Sequence, residues 1–164
     1  MPIYTEAQRL VIKAYVLADP ILVTKAKGLD TDYGFILNAL NLHYNPNFTV
    51  WKTVTTEKEI QLDTGFDWKR VDNLSIGKAR IWEWLFKLTG YIDPSQANVR
   101  AGIDAIWTGA PVDLDVLAVV YTHCKRLATV TEKLFAVGTG SNAVPAVAVF
   151  VGQIGINDIG SILA

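Results

Sequence analysis

The sequence predicts a mainly α-helical fold, and three observations carry that expectation. Capping-box spacing, a Thr followed three residues later by Gln or Glu, recurs along the chain. Apolar residues return at three-and-four spacing over most of the segments that follow such starts. Hydrophobic residues make up 51% of 164 residues, enough to fill one core and leave a surplus for the surface. The expected architecture is a compact bundle of about five or six helices. It has a short β segment at 48–55 and/or 147–154 and a C-terminal extension. The expected division is a helical core over 1–137 and a linker plus strand and helix over 138–164.

Thr5 and Gln8 open the first helix, and Leu10, Val11, Ala14, Leu17 and Ala18 form its apolar stripe. Asp19-Pro20 ends it, because the residue before proline is pushed out of the helical region. A second helix is expected from Asp32 to Leu42, with Phe35, Ile36, Ala39 and Leu40 inward. Asn45-Pro46-Asn47 reads as a turn. Phe48 to Thr55 is rich in β-branched and aromatic residues and is expected to be extended. Thr56 and Glu59 start a short helix to Leu62, and Asp63 to Asn73 reads as loop. Ser75 to Leu88 is apolar nearly all round, which predicts burial on several sides. Asp93-Pro94 is read as the next helix start, with Val99, Ile103, Ile106 and Trp107 inward and Gly109 at the end. Asp113 is read as the cap of a further helix through Leu117, Val120, Tyr121 and Cys124. Thr129 and Glu132 restart it, and Gly138 closes it. Gly138 to Asn142 has linker composition. Val147 to Ile154 is β-prone and apolar on both faces, and Asn157-Asp158 is placed to cap a last short helix.

Net charge is −1, so no general electrostatic pull toward nucleic acid or an anionic membrane follows. No run of about 18 uninterrupted apolar residues is present, so no transmembrane helix is expected, and the first residues do not read as a secretory signal. This pattern fits a cytosolic protein.

The chemistry-bearing residues are sparse. The two histidines, His43 and His123, stand apart in sequence, and Cys124 is the single cysteine. On a helix His123 and Cys124 point about 100° apart, which disfavours a shared metal or a thiol–imidazole pair. The pairs Asp30/Asp32, Glu57/Glu59 and Asp113/Asp115 read as helix-start residues. Gly138-Thr139-Gly140 follows a helix and lacks the lysine of a phosphate loop. Lys69-Arg70, Lys78/Arg80 and Lys125-Arg126 read as solvated basic faces. No catalytic residue, cofactor or metal site is expected. Trp82 and Trp84 cannot share one helix face, so Trp84 is the interface candidate. A lone apolar strand must find a partner for its backbone, either Phe48–Thr55 or another chain by strand addition. The candidate interface therefore adds Val147, Val149, Phe150, Val151, Ile154, Ile156 and Ile159.

Three runs resemble a family of small proteins encoded by tailed bacteriophages. They are Phe48-Thr49-Val50-Trp51-Lys52-Thr53, Asp67 to Ser75 (DWKRVDNLS) and Asn98 to Asp104 (NVRAGID). The longest likeness is Lys125 to Ser141 (KRLATVTEKLFAVGTGS), followed, as in that family, by a Pro-containing linker, a short strand and a final Asp-containing helix. The glycine usual after Phe150 in that family is replaced here by Val151-Gly152. The resemblance implies a virion structural component assembled in the host cytoplasm, and supplies no active-site residues. The function expected from it is a head–tail adaptor of the neck, a homo-oligomeric ring beneath the portal. Twelve subunits are implied by analogy with portals. Its partners are then the portal and neck or tail proteins, with DNA contact only by passage through a channel. A capsid decoration or other accessory protein is the alternative, and a small hydrolase using scattered carboxylates the remote one. On this reading, removing Ala143–Ala164 leaves a folded helical core and abolishes assembly.

Overall fold

The computed structural model describes residues 4–27, 31–150 and 152–164. Those residues form ten α-helices and six short strands. The fold is mainly α, and six of the helices have eight residues or more. Short helices beyond the expected five or six account for the rest. The chain divides into two compact units, one of residues 1–49 with 127–164 and one of residues 50–126.

The first unit begins with α1 (Glu6–Ala18), α2 (Leu22–Ala26) and α3 (Tyr33–Asn41). The Thr5 hydroxyl accepts from the Gln8 amide while the Gln8 side chain accepts from the Thr5 amide, the reciprocal pair that satisfies two orphan donors at α1. The Asp32 carboxylate accepts from the Phe35 amide at the start of α3. Ile12 and Val16 are the residues of α1 that are buried, whereas Leu10 and Val11 are exposed. The expected stripe was therefore displaced, because α1 is apolar on two adjacent sides and packs along the other. On α3, Ile36 and Leu40 are buried as expected and Phe35 is exposed.

The chain then enters the second unit in β1 (Thr49–Trp51), followed by β2 (Thr55–Thr56), α4 (Glu57–Gln61), α5 (Trp68–Asp72), α6 (Ile76–Lys87), β3 (Tyr91–Ile92), α7 (Ala97–Ile106) and α8 (Pro111–His123). The Thr56–Glu59 capping box forms. The segment read as loop contains α5, because the Asp67 carboxylate accepts the Lys69 amide and starts a single turn. β2 pairs antiparallel with β3, Thr55 opposite Ile92. Asp93 does not cap α7. Its carboxylate takes the Ser95 amide and hydroxyl in a turn, and the helix starts four residues later. Asp113 likewise sits inside α8, accepting from the Ala110 amide, so that helix starts at Pro111.

Four aromatic rings organise the second core. Phe66, Trp82, Phe86 and Trp107 are all buried, with centroids 5.1 to 6.2 Å apart, mostly edge-to-face. Ile60, Ile103, Ile106, Val116 and Val120 close around them.

The chain leaves through β4 (Lys125–Leu127), then forms α9 (Val130–Phe135), β5 (Ala136–Val137), β6 (Val147–Ala148) and α10 (Ile156–Leu163) in the first unit. The strand of the C-terminal region pairs within the chain, antiparallel to β5, Ala136 opposite Ala148 and Val137 opposite Val147. Neither expected partner, Phe48–Thr55 nor a second chain, is needed for it. Nor is 138–142 a free linker. Gly140 has φ +68° and lies so close to the Phe48 ring that a Cβ would meet it at 2.1 Å, and its carbonyl accepts the Thr49 amide.

The expected division at 137/138 is thus not the one the chain makes. Ile154, Ile159 and Ile162 are buried in one cluster with Ile12, Val16, Ile36 and Leu40. The Asn41 side chain clamps the same segment, its amide donating to the Ile154 carbonyl and its oxygen accepting the Ile154 amide, each at 3.1 Å. Residues 154–162 are part of a core, so removal of Ala143–Ala164 is expected to unfold the first unit. Replacing one residue resolves the point. Ile159→Ala is expected to cost about 2–5 kcal/mol by transfer and cavity terms. Ile156→Ala, an exposed position of the same helix, is expected to stay within about 0.5 kcal/mol. Chemical denaturation of both variants, with unchanged slope, checks the difference.

Candidate functional site

His123 and Asp63 are brought together, Nε2 to Oδ2 at 2.7 Å. Asp63 also accepts the Gly65 amide, and that bond, then His123, holds its carboxyl below the usual range. The pair has the contact of a base and its orienter, but the neighbouring Cys124 is not a nucleophile for it. Its thiol is fully buried and burial pushes it up to about 12, so the sulfur is held protonated. The Tyr121 hydroxyl is raised as well, by burial and by its hydrogen bond to Asp104.

Several other titratable residues are engaged structurally. Glu59 completes a cap and lies 3.6 Å from Lys52 Nζ. Asp113 is buried, and its carboxyl is held low first by the Arg70 guanidinium and then by the Ala110 amide. Lys78 Nζ donates to the Thr108 carbonyl. His43 bridges to Thr129 through its backbone. Asp30 lies outside the described residues. Among the described residues no group of three or more His, Cys, Asp or Glu could hold a metal ion. None of the described helices is long and apolar enough to cross a membrane.

The interface candidates separate by burial. Ile154 and Ile159 are core residues, a correction that follows from their packing against α1 and α3. Phe150 is half-buried with its ring 4.8 Å from that of Tyr4, and Val147 is half-buried in β6. Val151 lies outside the described residues. Val149, Ile156 and Trp84 are exposed.

Trp84 does not stand alone. The inward side of α6 carries Trp82 and Phe86, both buried. The outward side carries Ile76, Ile81, Trp84 and, at the C-cap, Leu88, the last two 63% and 94% exposed. Gly77, Ile81, Trp84 and Leu88 follow a four-three-four spacing, which places them in one stripe. A Cβ on Gly77 would meet nothing within 4 Å, so the stripe is flat and open at its start. Arg80 and Lys87 fall along one side of it by helical periodicity. An open groove of about 340 Å³, to which no residue of the stripe contributes, is lined by Glu57, Glu83, Phe86, Lys87 and Gly90. The reading of α6 as buried on several sides found one apolar face too many. The signal for the exposed face is the second stripe at 77/81/84/88, distinct from the inward one through Ala79, Trp82 and Phe86.

No protein-family model, no curated protein and no solved structure matches this chain.

Two measurements follow from this geometry. Trp84→Ser is expected to change stability by no more than about 0.5 kcal/mol, whereas Trp82→Ala, two residues away on the inner face, is expected to cost about 3–5 kcal/mol. The lowered carboxyls of Asp63 and Asp113 stabilise the fold while ionised. That contribution is complete above the unfolded value of about 3.9 and is lost as pH falls through the lower folded values. Asp113→Asn is expected to melt below the wild type at neutral pH. The gap closes as pH falls below about 4, read by thermal melts across the series.

Proposed function

We propose that this chain is a non-catalytic structural component of a tailed-bacteriophage virion, a head–tail adaptor that assembles as a ring beneath the portal. The observation that carries the reading is the unpartnered apolar face of α6. Three large apolar side chains, Ile81, Trp84 and Leu88, stand in one exposed stripe there, a concentration that marks partner surfaces rather than an ordinary exterior. The resemblance of Phe48–Thr53, Asp67–Ser75, Asn98–Asp104 and Lys125–Ser141 to small phage virion proteins supplies the setting. The sealed thiol of Cys124 and the structural use of Asp113 and Glu59 leave the His123–Asp63 pair without a nucleophile, which supports the non-catalytic part.

The assembling contact on this reading is made by α6, since the C-terminal strand expected to make it is spent on β5. The ring number of twelve remains an analogy with portals. Mass spectrometry of virions from the encoding genome, together with binding to purified portal and to empty capsid, tests the proposal. The expected result is a fixed number of copies per virion and retention on portal. Retention on the capsid lattice alone assigns the decoration role instead, and absence from virions overturns both.

A further inference from the structure

Residues 63–70 run along α8 as a strap with an ionic contact at each end. Asp63 Oδ2 lies 2.7 Å from Nε2 of His123, the last residue of α8. Arg70 Nε donates to the carboxylate of Asp113 in the first turn of the same helix. Asp113, Val116, Val120 and His123 follow a three-four-three spacing, so both anchors stand on one face of α8, about 15 Å apart by helical rise. Between them the strap crosses the helix at Gly65, where an added Cβ would meet the Val119 side chain at 3.2 Å. Phe66 is the one buried residue of the strap. Thr64, Gly65, Asp67, Trp68 and Lys69 are exposed. Among the described residues, every backbone hydrogen bond of the strap joins positions no more than four apart, so no ladder ties it to its neighbours. The Phe66 ring is stacked at 24° on Trp82 and stands edge-to-face with Trp107, centroids 6.1 and 6.2 Å away. Trp107 is fully buried, and its indole N–H has no acceptor among the described residues.

We infer that residues 63–70 are a latched cover that opens while the rest of the second unit stays folded, and that the pocket Phe66 vacates takes a planar ring bearing a hydrogen-bond acceptor. A segment with one buried side chain, local backbone bonds and ionic contacts at its ends belongs to the part of a structure that opens first. The latches decide how often it does so. Asp63 and Arg70 are half-buried, so water and salt reach both contacts and weaken them. Once Phe66 swings out, Trp82 offers a ring face and Trp107 a ring edge. The Trp107 N–H is then a polar handle in an apolar pocket, the arrangement that orients small ligands. Phe66 fills this space but cannot accept a hydrogen bond, and a buried donor left unspent is costly. A planar ring with an acceptor oxygen keeps both aromatic contacts and spends the donor as well.

Hydrogen exchange of the full chain, read peptide by peptide, tests the opening. The amides of 65–70 are expected to exchange together, at least about tenfold faster than those of α6 and α8. Asp63→Asn removes the charge of one latch and is expected to speed exchange of the strap about three- to tenfold, leaving α6 and α8 as they were. Raised salt is expected to act in the same direction on the wild type. Asp72→Asn, at an exposed carboxylate that makes no ion pair among the described residues, is the control and is expected to leave the strap unchanged. Phenol at about 10 mM, enough for a millimolar affinity, is expected to hold the strap open and raise its exchange further, with α6 and α8 unaffected. Cyclohexanol carries the oxygen without the planar ring and is expected to have no such effect. Strap amides that exchange only together with α8 overturn the inference. So does an Asp63→Asn effect that spreads over the whole unit or is matched by Asp72→Asn, and so does phenol acting no differently from cyclohexanol.

Discussion

The first unit depends on one long-range closure, the packing of the C-terminal isoleucines against the N-terminal helices. Ile154, Ile159 and Ile162 lie in the same buried cluster as Ile12, Val16, Ile36 and Leu40. Burial of each such side chain is worth about 1.5–3 kcal/mol, and neither end of the chain can achieve it without the other. Polar contacts then set the register of that closure. Asn41 meets both backbone groups of Ile154, the Thr131 hydroxyl donates to the Leu40 carbonyl, and Arg9 donates to the Ser161 hydroxyl. A buried amide–backbone clamp is costly to leave half made, so it specifies where the segment sits as well as holding it there.

This closure turns the C-terminal region from a free arm into part of a scaffold. Its strand is short because it needs to match only the two residues of β5. The close approach of Gly140 to the Phe48 ring, where any side chain would collide, anchors the stretch that reads as linker. Surplus apolar surface remains, but it lies elsewhere. In the second unit the aromatic cluster of Phe66, Trp82, Phe86 and Trp107 consumes one side of α6, and the opposite side is left in water. A helix apolar on two sides can satisfy only one of them inside a small unit, and the other stays in water.

Much of the local structure is legible in the sequence. The Thr5–Gln8, Thr56–Glu59 and Thr129–Glu132 caps all form at their expected positions, because a capping box is a contact between residues three apart and needs no tertiary partner. Aspartates were harder. Asp93 and Asp113 carry the right side chain for a cap, but an aspartate serves equally in a turn or at the third helical position. The choice fell to Ser95 and to Ala110 with Arg70. The stripe of α1 was displaced for a related reason. Leu10 and Val11 satisfy helical spacing as well as Ile12 and Val16 do, and only the positions of the neighbouring helices choose between them.

The sequence alone determined the helical class, the main helix starts and the presence of more apolar side chains than one small core consumes. These follow from spacings of three and four residues and from composition, which are properties of short segments. The tertiary structure decided which apolar stripe is buried. It seated Ile154 and Ile159 in a core, left Trp84 and Leu88 in water and paired the last strand within its own chain. The seating of Ile154 depends on contacts more than a hundred positions away, with Asn41 and the N-terminal helices, the others on contacts between separate elements, and no local periodicity carries that information.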